Sequence, residues 1–563
     1  MVFVFFKQFR SAILAYVMAM KFSRLATIFA FLGALIGYFA CGLALRSGIT
    51  VPQPIYWAFF LAIPVLSFFL RSNNEVHNIV LLLIVSTSVY SIYVLQNQTW
   101  YSASRDSQFE LQITQLICEN GRWTPGMGTS LASEMSVHPA MHFLLASTSL
   151  IGGIEPYQAI FLIPWLKGIG LTLFFYLFAR HFLADKTAVF FASLALTGCF
   201  NLWLIPHRET FAIILFMAVL WLLVSRKNAL GFKALVLLFM FSLAMAHHFT
   251  AYILLGIVIA FYAFSEQREG LIHPSYPIAT VLSWIAFSSF AVALGYSMLF
   301  LNALRMVLTL SIPQTPNFAA ASYFYAPSEL AFMLAGPLVV GLFASMVFFP
   351  KIRTIRSSLL LILMAFLGIL LFTSLALYPS GAFTNGTYRI WTFAYIPMVT
   401  LTSWFIWKGR LRNVYRTVIS ILLVVLLFVS MNLSTLYGIK KWYVPREYME
   451  SYMVSDSMVN TALWCREYAL GTFFGDNLAH DTVGSWGRKD IDQYTFEMWY
   501  QTKDNAIIKR FTFLVFSPWD TTTYSDTFRK PTDPFSLLPS NLNIVYSSRD
   551  LTVYRWPFEG MSD

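Results

Sequence analysis

The stretch "ALVLLFMFSLAMAHHFTAYILLGIVIAFYAF", residues 234–264, is apolar except for one polar cluster near its centre. A helix crosses the hydrocarbon core of a membrane in about 20 residues, so this run is too long for a single crossing. The cluster "HHFT" at 247–250 is the natural turning point. The stretch therefore predicts two short helices that meet at His247 and His248.

Similar apolar runs recur from residue 25 to residue 437. The chain has 563 residues, of which 58% are hydrophobic and 12% are charged, which is too apolar for a water-soluble protein of this length. Backbone groups in lipid must be satisfied within the spanning segment, which favours helices. The sequence predicts an α-helical polytopic membrane protein with about 13 transmembrane helices. The predicted spans are 25–45, 53–70, 78–96, 158–180, 187–205, 210–225, 234–247, 249–264, 279–300, 329–349, 357–378, 390–407 and 417–437.

The distribution of Lys and Arg predicts the orientation of these spans. With the N-terminus in the cytoplasm, 18 basic residues fall on the cytoplasmic side and 7 on the other side. Cytoplasmic loops carry the excess of basic residues in membrane proteins. An odd number of spans then puts residues 438–563 outside, so we expect a multi-pass cell-membrane protein with a cytoplasmic N-terminus and an extracytoplasmic C-terminal domain.

The net charge of +11 comes from the same uneven distribution of Lys and Arg residues. Before residue 438 the chain has 25 of its 38 Lys and Arg residues but only 11 of its 27 Asp and Glu residues. The excess positive charge belongs to the membrane part, where it reports topology. The predicted partners therefore include membrane lipid and exclude nucleic acid.

The chain divides into three predicted parts. Residues 1–24 are predicted as a cytoplasmic interfacial segment. Residues 25–437 form the transmembrane domain, with long external loops at 97–157 and 302–328. Residues 438–563 have a soluble pattern that predicts a small external α/β domain, with a helix in 445–468 and strands at "GTFFGD", "FTFLVFS", "NIVYSS" and "LTVYRW".

The first external loop contains "DSQFELQITQLICENGRW", residues 106–123. Its apolar residues Phe109, Ile113, Leu116 and Ile117 share one helical face, which predicts a short helix on the membrane surface. Ser107 and Glu110 have the spacing of a capping box, and Asp106 could equally cap the helix.

Ionisable residues near a membrane indicate function, because burying each one costs roughly 2.5 to 3.5 kcal/mol on insertion scales. The predicted topology puts five such segments on the external side. Each also has a structural interpretation, as a helix cap, an interfacial anchor or a hydrogen bond across a turn. Together, a carboxylate that can act as a base and several Arg and His side chains suit a lipid-linked phosphate substrate. The segments are Asp106 with Glu110, His138 with His142, "PHRET" at 206–210, "HHFT" at 247–250, and "NGTYR" at 385–389.

These segments carry a resemblance to a known superfamily. "RDSQFELQ" followed by "NGRW", "PHRETFA", "AHHFTAY" and "GTYRIWTF" resemble the GT-C superfamily of membrane glycosyltransferases. The resemblance covers residues 101 to about 437 and is closest to archaeal proteins of surface-polysaccharide and protein glycosylation. It implies that residues 25–437 form a GT-C-like catalytic domain.

The resemblance implies an inverting transfer of a hexose or pentose from a polyprenyl-phosphate donor, dolichyl-linked in archaea, to an acceptor hydroxyl on a glycan, lipid or protein. Asp106 would be the general base, supported by Glu110. The remaining predicted site residues fall into two groups. Those expected at the donor phosphate are Arg208, Arg389, His248 and His247, and those expected to contact the acceptor or sugar are Arg105, His138, Glu209 and Tyr388.

The chain departs from oligosaccharyltransferases, which carry a WWDYG motif and paired acidic metal motifs. "GSWGRKD" at 484–490 and "SPWD" at 517–520 are poor substitutes, so transfer of a single sugar is favoured over transfer of a whole glycan to asparagine. No cofactor is expected, with Mg²⁺ or Mn²⁺ as the alternative. Other functions compatible with the pattern are a transporter or lipid flippase, a polysaccharide polymerase or ligase, and a non-catalytic assembly subunit.

Overall fold

The fold comes from a computed structural model, which describes most of the chain in separate ranges. These are residues 24–47, 49, 51–91, 105–199, 207–225, 230–265, 275–293, 336, 338–346, 363–364, 366–368, 370, 388–408, 412–435, 455–492, 499, 502, 504–516, 538–548 and 551–556. Residues 1–23 of the predicted interfacial segment 1–24 and the whole of the second external loop (302–328) lie outside these ranges.

Before residue 438, the described residues form a bundle of mostly apolar helices. Each predicted span that falls in the described ranges coincides with helix. The helices are α1 (Arg24–Arg46), α2 (Gln53–Leu70), α3 (Glu75–Tyr90), α4 (Arg105–Asn120), α5 (Ser130–Ser136), α6 (Ala140–Gly152), α7 (Pro156–Ala159), α8 (Leu162–Phe182), α9 (Lys186–Cys199), α10 (Arg208–Val224), α11 (Leu230–Ala246), α12 (His248–Ser265), α13 (Ser275–Ala293), α14 (Tyr388–Lys408) and α15 (Asn413–Thr435).

Helix α10 lies at the centre of the bundle. It is apolar on every side, and nearly all of its side chains are buried, as expected for a helix with no water-facing surface. Phe216 of α10 packs against Phe393 of α14, with ring centroids 4.8 Å apart. Helix α10 also packs against α8, α11 and α12, so the residues at its start are held by several neighbours.

The predicted break in the apolar run 234–264 is confirmed. Helix α11 ends at Ala246 and α12 begins at His248. The ring of His247 lies between the two helices, with Nδ1 2.9 Å from the Thr250 hydroxyl oxygen. The same Nδ1 accepts the backbone N–H of Thr250 at 3.4 Å, so the His247 side chain satisfies a backbone group at the start of α12, as the hydrogen-bond interpretation of "HHFT" expects.

Three helical segments among the described residues are long and apolar enough to cross a membrane: Arg24–Leu45, Pro156–Phe182 and Asn413–Ser430. Several shorter apolar helices accompany them, including α9, α11 and α12. The chain is a helical membrane protein, and the number of about 13 crossings stays a prediction.

The two ends of the bundle carry different polar groups. Helices α3 and α8 run antiparallel, so Glu75 at the start of α3 meets Arg180 near the end of α8, at 3.0 Å. Lys186 approaches the same carboxylate at 3.5 Å. At the opposite end, the Lys167 ammonium near the start of α8 lies 5.3 Å from the Tyr90 ring centroid. The candidate site is at this second end.

After residue 454 the chain forms a five-stranded mixed sheet with helices, called here the C-terminal unit. The sheet order is β2-β1-β3-β5-β4, with β1 parallel to β2 and β3, and β5 antiparallel to β3 and β4. The four stretches predicted as strands are strands, and β2 was not predicted. The elements are α16 (Asp456–Tyr468), β1 (Phe473–Gly475), α17 (Asn477–Ser485), β2 (Ile491–Asp492), α18 (Asn505–Ile508), β3 (Phe513–Phe516), β4 (Asn543–Ser547) and β5 (Thr552–Arg555). Its external location stays a prediction.

Helix α4 corrects one prediction. The expected surface helix exists, but every side chain from Ser107 to Thr114 is buried, because the helix lies between the bundle and the C-terminal unit. The capping-box interpretation is also wrong. The helix already includes Arg105, so Ser107 lies inside it, and the Glu110 carboxylate points to another helix. The C-terminal unit, which is distant in the sequence, covers the polar face of α4 that the local pattern predicts to be exposed to water.

Candidate functional site

The centre of the candidate site is the carboxylate of Glu110, which is fully buried. One oxygen contacts Nε2 of His142, on α6. The other oxygen accepts the backbone N–H of Arg208 at 3.4 Å and lies 3.7 Å from the Arg208 side-chain Nε. One carboxylate therefore joins α4, α6 and the first residue of α10.

The charge state of Glu110 follows from these contacts. Burial raises the pKa of this carboxyl, but the charge and hydrogen bond of His142, together with the charges of Arg208 and His207, outweigh burial, so the pKa lies below its ordinary value. Glu110 is therefore ionised at neutral pH. A buried carboxylate whose oxygens are engaged by His142 and Arg208 has the contacts of a positioning element. The predicted catalytic support that Glu110 gives to Asp106 stays a prediction.

Arg208 is the partly exposed cation of the site. Its side chain is 19% exposed, and its Nη1 donates to the carbonyl oxygen of Met135 at 3.3 Å. The bond to Met135 and the approach to Glu110 fix the guanidinium at the start of α10. Arg208 is thus held in place while part of its surface stays accessible, as an anion-binding residue requires.

The residues on either side of Arg208 are buried. His207 is the N-cap of α10, and its Nδ1 accepts the backbone N–H of Glu209 at 3.0 Å. Glu209 interacts electrostatically with Lys167 of α8. Both side chains are almost fully buried. The predicted contact of Glu209 with acceptor or sugar stays a prediction.

A group of histidines continues the site toward α12 and α13. His138 Nε2 and His248 Nδ1 are 3.1 Å apart, with the rings stacked. His138 also packs on Phe287, and His247 lies beside His248, with ring centroids 5.2 Å apart. Burial, then the charges of His248 and Arg208, lower the pKa of His138 well below its ordinary value. His138 is therefore neutral at pH 7, and among the described residues of this group Arg208 supplies the permanent positive charge.

Three helices begin at this group. Helix α6 starts two residues after His138, α10 starts at Arg208, and α12 starts at His248. The N-terminus of a helix carries a partial positive charge. Together with Arg208, these helix starts make the site favourable for an anion such as phosphate.

The structure thus brings together residues from four of the five segments singled out in the sequence: Glu110, His138 with His142, His207 to Glu209, and His247 with His248. The side chains of Arg105 and Asp106, and those of Tyr388 and Arg389, lie outside what the structure describes. Helix α14 does begin at Tyr388. Phe393, about one turn after Arg389, packs on Phe216, about two turns after Arg208.

Two residues of the site gain a role only from the structure. His142 lies four residues after His138, but its partner Glu110 is 32 residues away, so no local pattern identifies the pair. In the sequence, Lys167 contributes only to the count of Lys and Arg residues that predicts the orientation of the spans. Its place inside an apolar run is a signal that could have singled it out, because a charge there needs a partner.

Within the described ranges, no group of three or more His, Cys, Asp or Glu residues is arranged to hold a metal ion. Metal dependence stays a prediction, since the side chain of Asp106 lies outside what the structure describes.

Comparison with known proteins extends this description. No protein-family model matches the sequence, and no curated protein matches it. Among solved structures, the chain is similar to the archaeal oligosaccharyltransferase AglB from Archaeoglobus fulgidus in complex with an inhibitory peptide and a dolichol-phosphate. The TM-score is 0.53 at 11% identity, over 82% of this chain and 72% of that chain.

The chain has the GT-C fold.

Two structures of ArnT from Cupriavidus metallidurans are also similar. The one bound to undecaprenyl phosphate has a TM-score of 0.48 at 13% identity, and the apo state has a TM-score of 0.46 at 12% identity. Each covers 84% of this chain and 97% of the ArnT chain.

Proposed function

We propose that the chain is a membrane glycosyltransferase that moves a sugar from a polyprenyl-phosphate donor to an acceptor hydroxyl on the extracytoplasmic side. The observation that carries the proposal is the anion-favouring group built on Glu110, His142 and Arg208 at one end of a GT-C fold. AglB of this fold was solved with a dolichol-phosphate, and ArnT with undecaprenyl phosphate. A site for a lipid-linked phosphate at a bundle end fits the same chemistry.

In the proposed reaction, the acceptor oxygen attacks the anomeric carbon of the donor sugar. The bond from that carbon to the phosphate oxygen breaks, and the lipid phosphate leaves with the bonding electrons, which inverts the anomeric centre. Asp106 takes the proton of the acceptor hydroxyl as general base. Position 106 is one helical turn before Glu110, on the same side of α4. An ordered Glu110 would therefore keep Asp106 on the side of the helix that faces the site.

The leaving phosphate gains negative charge as the bond breaks, so groups that stabilise it act most strongly in the transition state. Arg208 and Arg389 are proposed to hold the phosphate with His248 and His247. The starts of α10 and α12 add their partial positive charges at the same point. Glu110 does not contact the substrate in this scheme, and its work is to fix the Arg208 guanidinium.

The first test is sugar transfer by the purified chain in lipid nanodiscs, followed as release of polyprenyl phosphate from a synthetic labelled donor. Asp106→Asn is expected to lower kcat by roughly 10²- to 10⁴-fold, the usual cost of losing a general base. The matched control is Asp185→Asn, the same change at the opposite end of the bundle, which should keep full activity. Near-normal transfer by Asp106→Asn would show that another group takes the proton.

We further propose that transfer needs no metal ion, because Arg208, Arg389 and the helix N-termini can supply the charge that a divalent cation provides elsewhere. Activity of the purified chain should be unchanged after treatment with EDTA and removal of the chelate. Loss of transfer that added Mg²⁺ or Mn²⁺ restores would contradict this part of the proposal.

A further inference from the structure

Helix α4 is held on two opposite sides. Residues two apart on a helix are about 200° apart, and residues four apart lie on the same side. Positions 106 and 110 therefore share one side of α4, and positions 108 and 112 share the other. Glu110 faces the bundle, so Gln108 and Gln112 face away from it.

The second side of α4 is bound by the C-terminal unit. The indole Nε1 of Trp486 donates to Oε1 of Gln108 at 2.8 Å. Gln112 Nε2 donates to the carbonyl oxygen of Gly484 at 3.1 Å, while its Oε1 accepts from the Thr129 hydroxyl at 3.1 Å. These groups are all buried. Trp486, Gly484 and the two glutamines are called the clamp below.

Neighbouring contacts strengthen this attachment. The Phe109 ring packs on His480 with centroids 5.5 Å apart, and Arg488 forms an ion pair with Glu119 near the end of α4. Leu111 joins the same buried apolar group as Met458 and Val483 of the C-terminal unit. The attachment runs along the helix, so it restrains rotation as well as position.

Rotation of α4 about its own axis matters because only a narrow side of the helix faces the site. A turn by one residue is about 100° and would carry position 106 away from the site and pull the Glu110 carboxylate from His142 and Arg208. The Gln112 amide, bound at both its oxygen and its nitrogen, and the Gln108 oxygen, bound by Trp486, resist such a turn. Breaking these bonds would leave polar groups without partners in a dry environment.

We propose that Trp486 is a positioning residue for sugar transfer, acting through Gln108 to fix the rotation of α4 and thereby the direction of Asp106. The proposal rests on the proposed function. It gives the C-terminal unit a share in the transfer step although Trp486 touches neither the donor nor the reacting atoms.

The variant that tests the clamp is Trp486→Phe, which keeps an aromatic ring and removes the N–H donor. The matched control is Trp556→Phe, because Trp556 Nε1 donates to the Ile508 carbonyl oxygen at 3.3 Å inside the same unit, away from α4. Trp486→Phe should lower kcat about tenfold, the effect of one lost buried hydrogen bond, with KM for the donor changed less than about twofold. Both variants should unfold at similar temperatures.

Gln108→Met removes the acceptor with little change of shape and provides a second route if Trp486→Phe does not fold. In the double variant the loss in kcat should equal that of either single variant, because both remove one bond. Equal kcat values for Trp486→Phe and Trp556→Phe, or additive losses in the double variant, would overturn the proposal.

A readout that does not depend on catalysis separates this inference from the proposed function. Hydrogen exchange of the backbone amides in 107–114 should be faster in Trp486→Phe than in Trp556→Phe. If the wild-type chain transfers no sugar, the proposed function fails and the exchange result alone decides the clamp: faster exchange supports it, and equal exchange refutes it.

Discussion

At the scale of single residues, Glu110 holds three segments with one side chain. Its oxygens meet the His142 ring, the first backbone N–H of α10 and the Arg208 guanidinium. A buried carboxylate with several hydrogen-bonding and charged partners is costly to lose, because these groups then lack the partner that holds them in place. Glu110 should therefore control the stability of the site end of the bundle.

The lowered pKa of Glu110 gives this role a pH dependence. The folded-state pKa lies below the ordinary value of 4.5, so the stabilisation is fully present above that pH and is lost as pH falls through the folded-state pKa. Thermal unfolding in detergent should show Glu110→Gln well below wild type at pH 7, with the gap narrowing at acid pH below 4.5. A gap of constant size from pH 7 to pH 3 would contradict the ionised assignment.

Single residues also show which features could be predicted from the sequence and which could not. His247 and His248 interrupt an apolar run, so their place between two helices could be predicted from neighbouring residues alone. The Glu110–His142 pair and the bond between Gln112 and Gly484 could not, since the second joins residues 372 apart. Contacts between residues far apart in the sequence produce no periodic pattern. The sequence therefore predicts that the polar side of α4 faces solvent.

At the scale of elements, close packing at the start of α8 sets the frame for the site. Gly168 lets α8 approach α3, where the Ser86 hydroxyl donates to the Gly168 carbonyl oxygen at 3.1 Å. A Cβ at this position would lie 2.9 Å from the Tyr90 ring and 3.4 Å from the Ser86 carbonyl oxygen. Lys167, which interacts electrostatically with Glu209, is adjacent to Gly168. The α3–α8 contact and the placement of the buried Lys167 and Glu209 side chains therefore depend on the same part of α8.

Gly168→Val should therefore separate α3 from α8 and destabilise the protein by about 1–3 kcal/mol, the usual cost of overpacking. The control is Gly33→Val in α1, where an added Cβ meets nothing within 4 Å. Thermal unfolding of both variants in the same detergent checks the expectation. Equal unfolding temperatures for the two variants would mean that the α3–α8 contact tolerates the extra volume.

At the scale of the whole molecule, polar groups collect at two ends of an apolar bundle. Glu75, Arg180 and Lys186 form one end, and the site built on Glu110 and Arg208 forms the other. The charge pattern of the sequence predicts this separation, and the apolar runs predict the helices. The packing of the C-terminal unit on α4 was beyond sequence reasoning, because a domain boundary and its strands say nothing about which surface they cover.

The central claim is that a lipid-linked phosphate binds where α10 and α12 begin. The most direct measurement is an experimental structure of the chain in nanodiscs with added polyprenyl phosphate. The account predicts the phosphate within hydrogen-bond distance of the Arg208 guanidinium and beside His248, with Arg389 on its other side. A phosphate bound elsewhere, with Arg208 still engaged only by Glu110 and Met135, would contradict it.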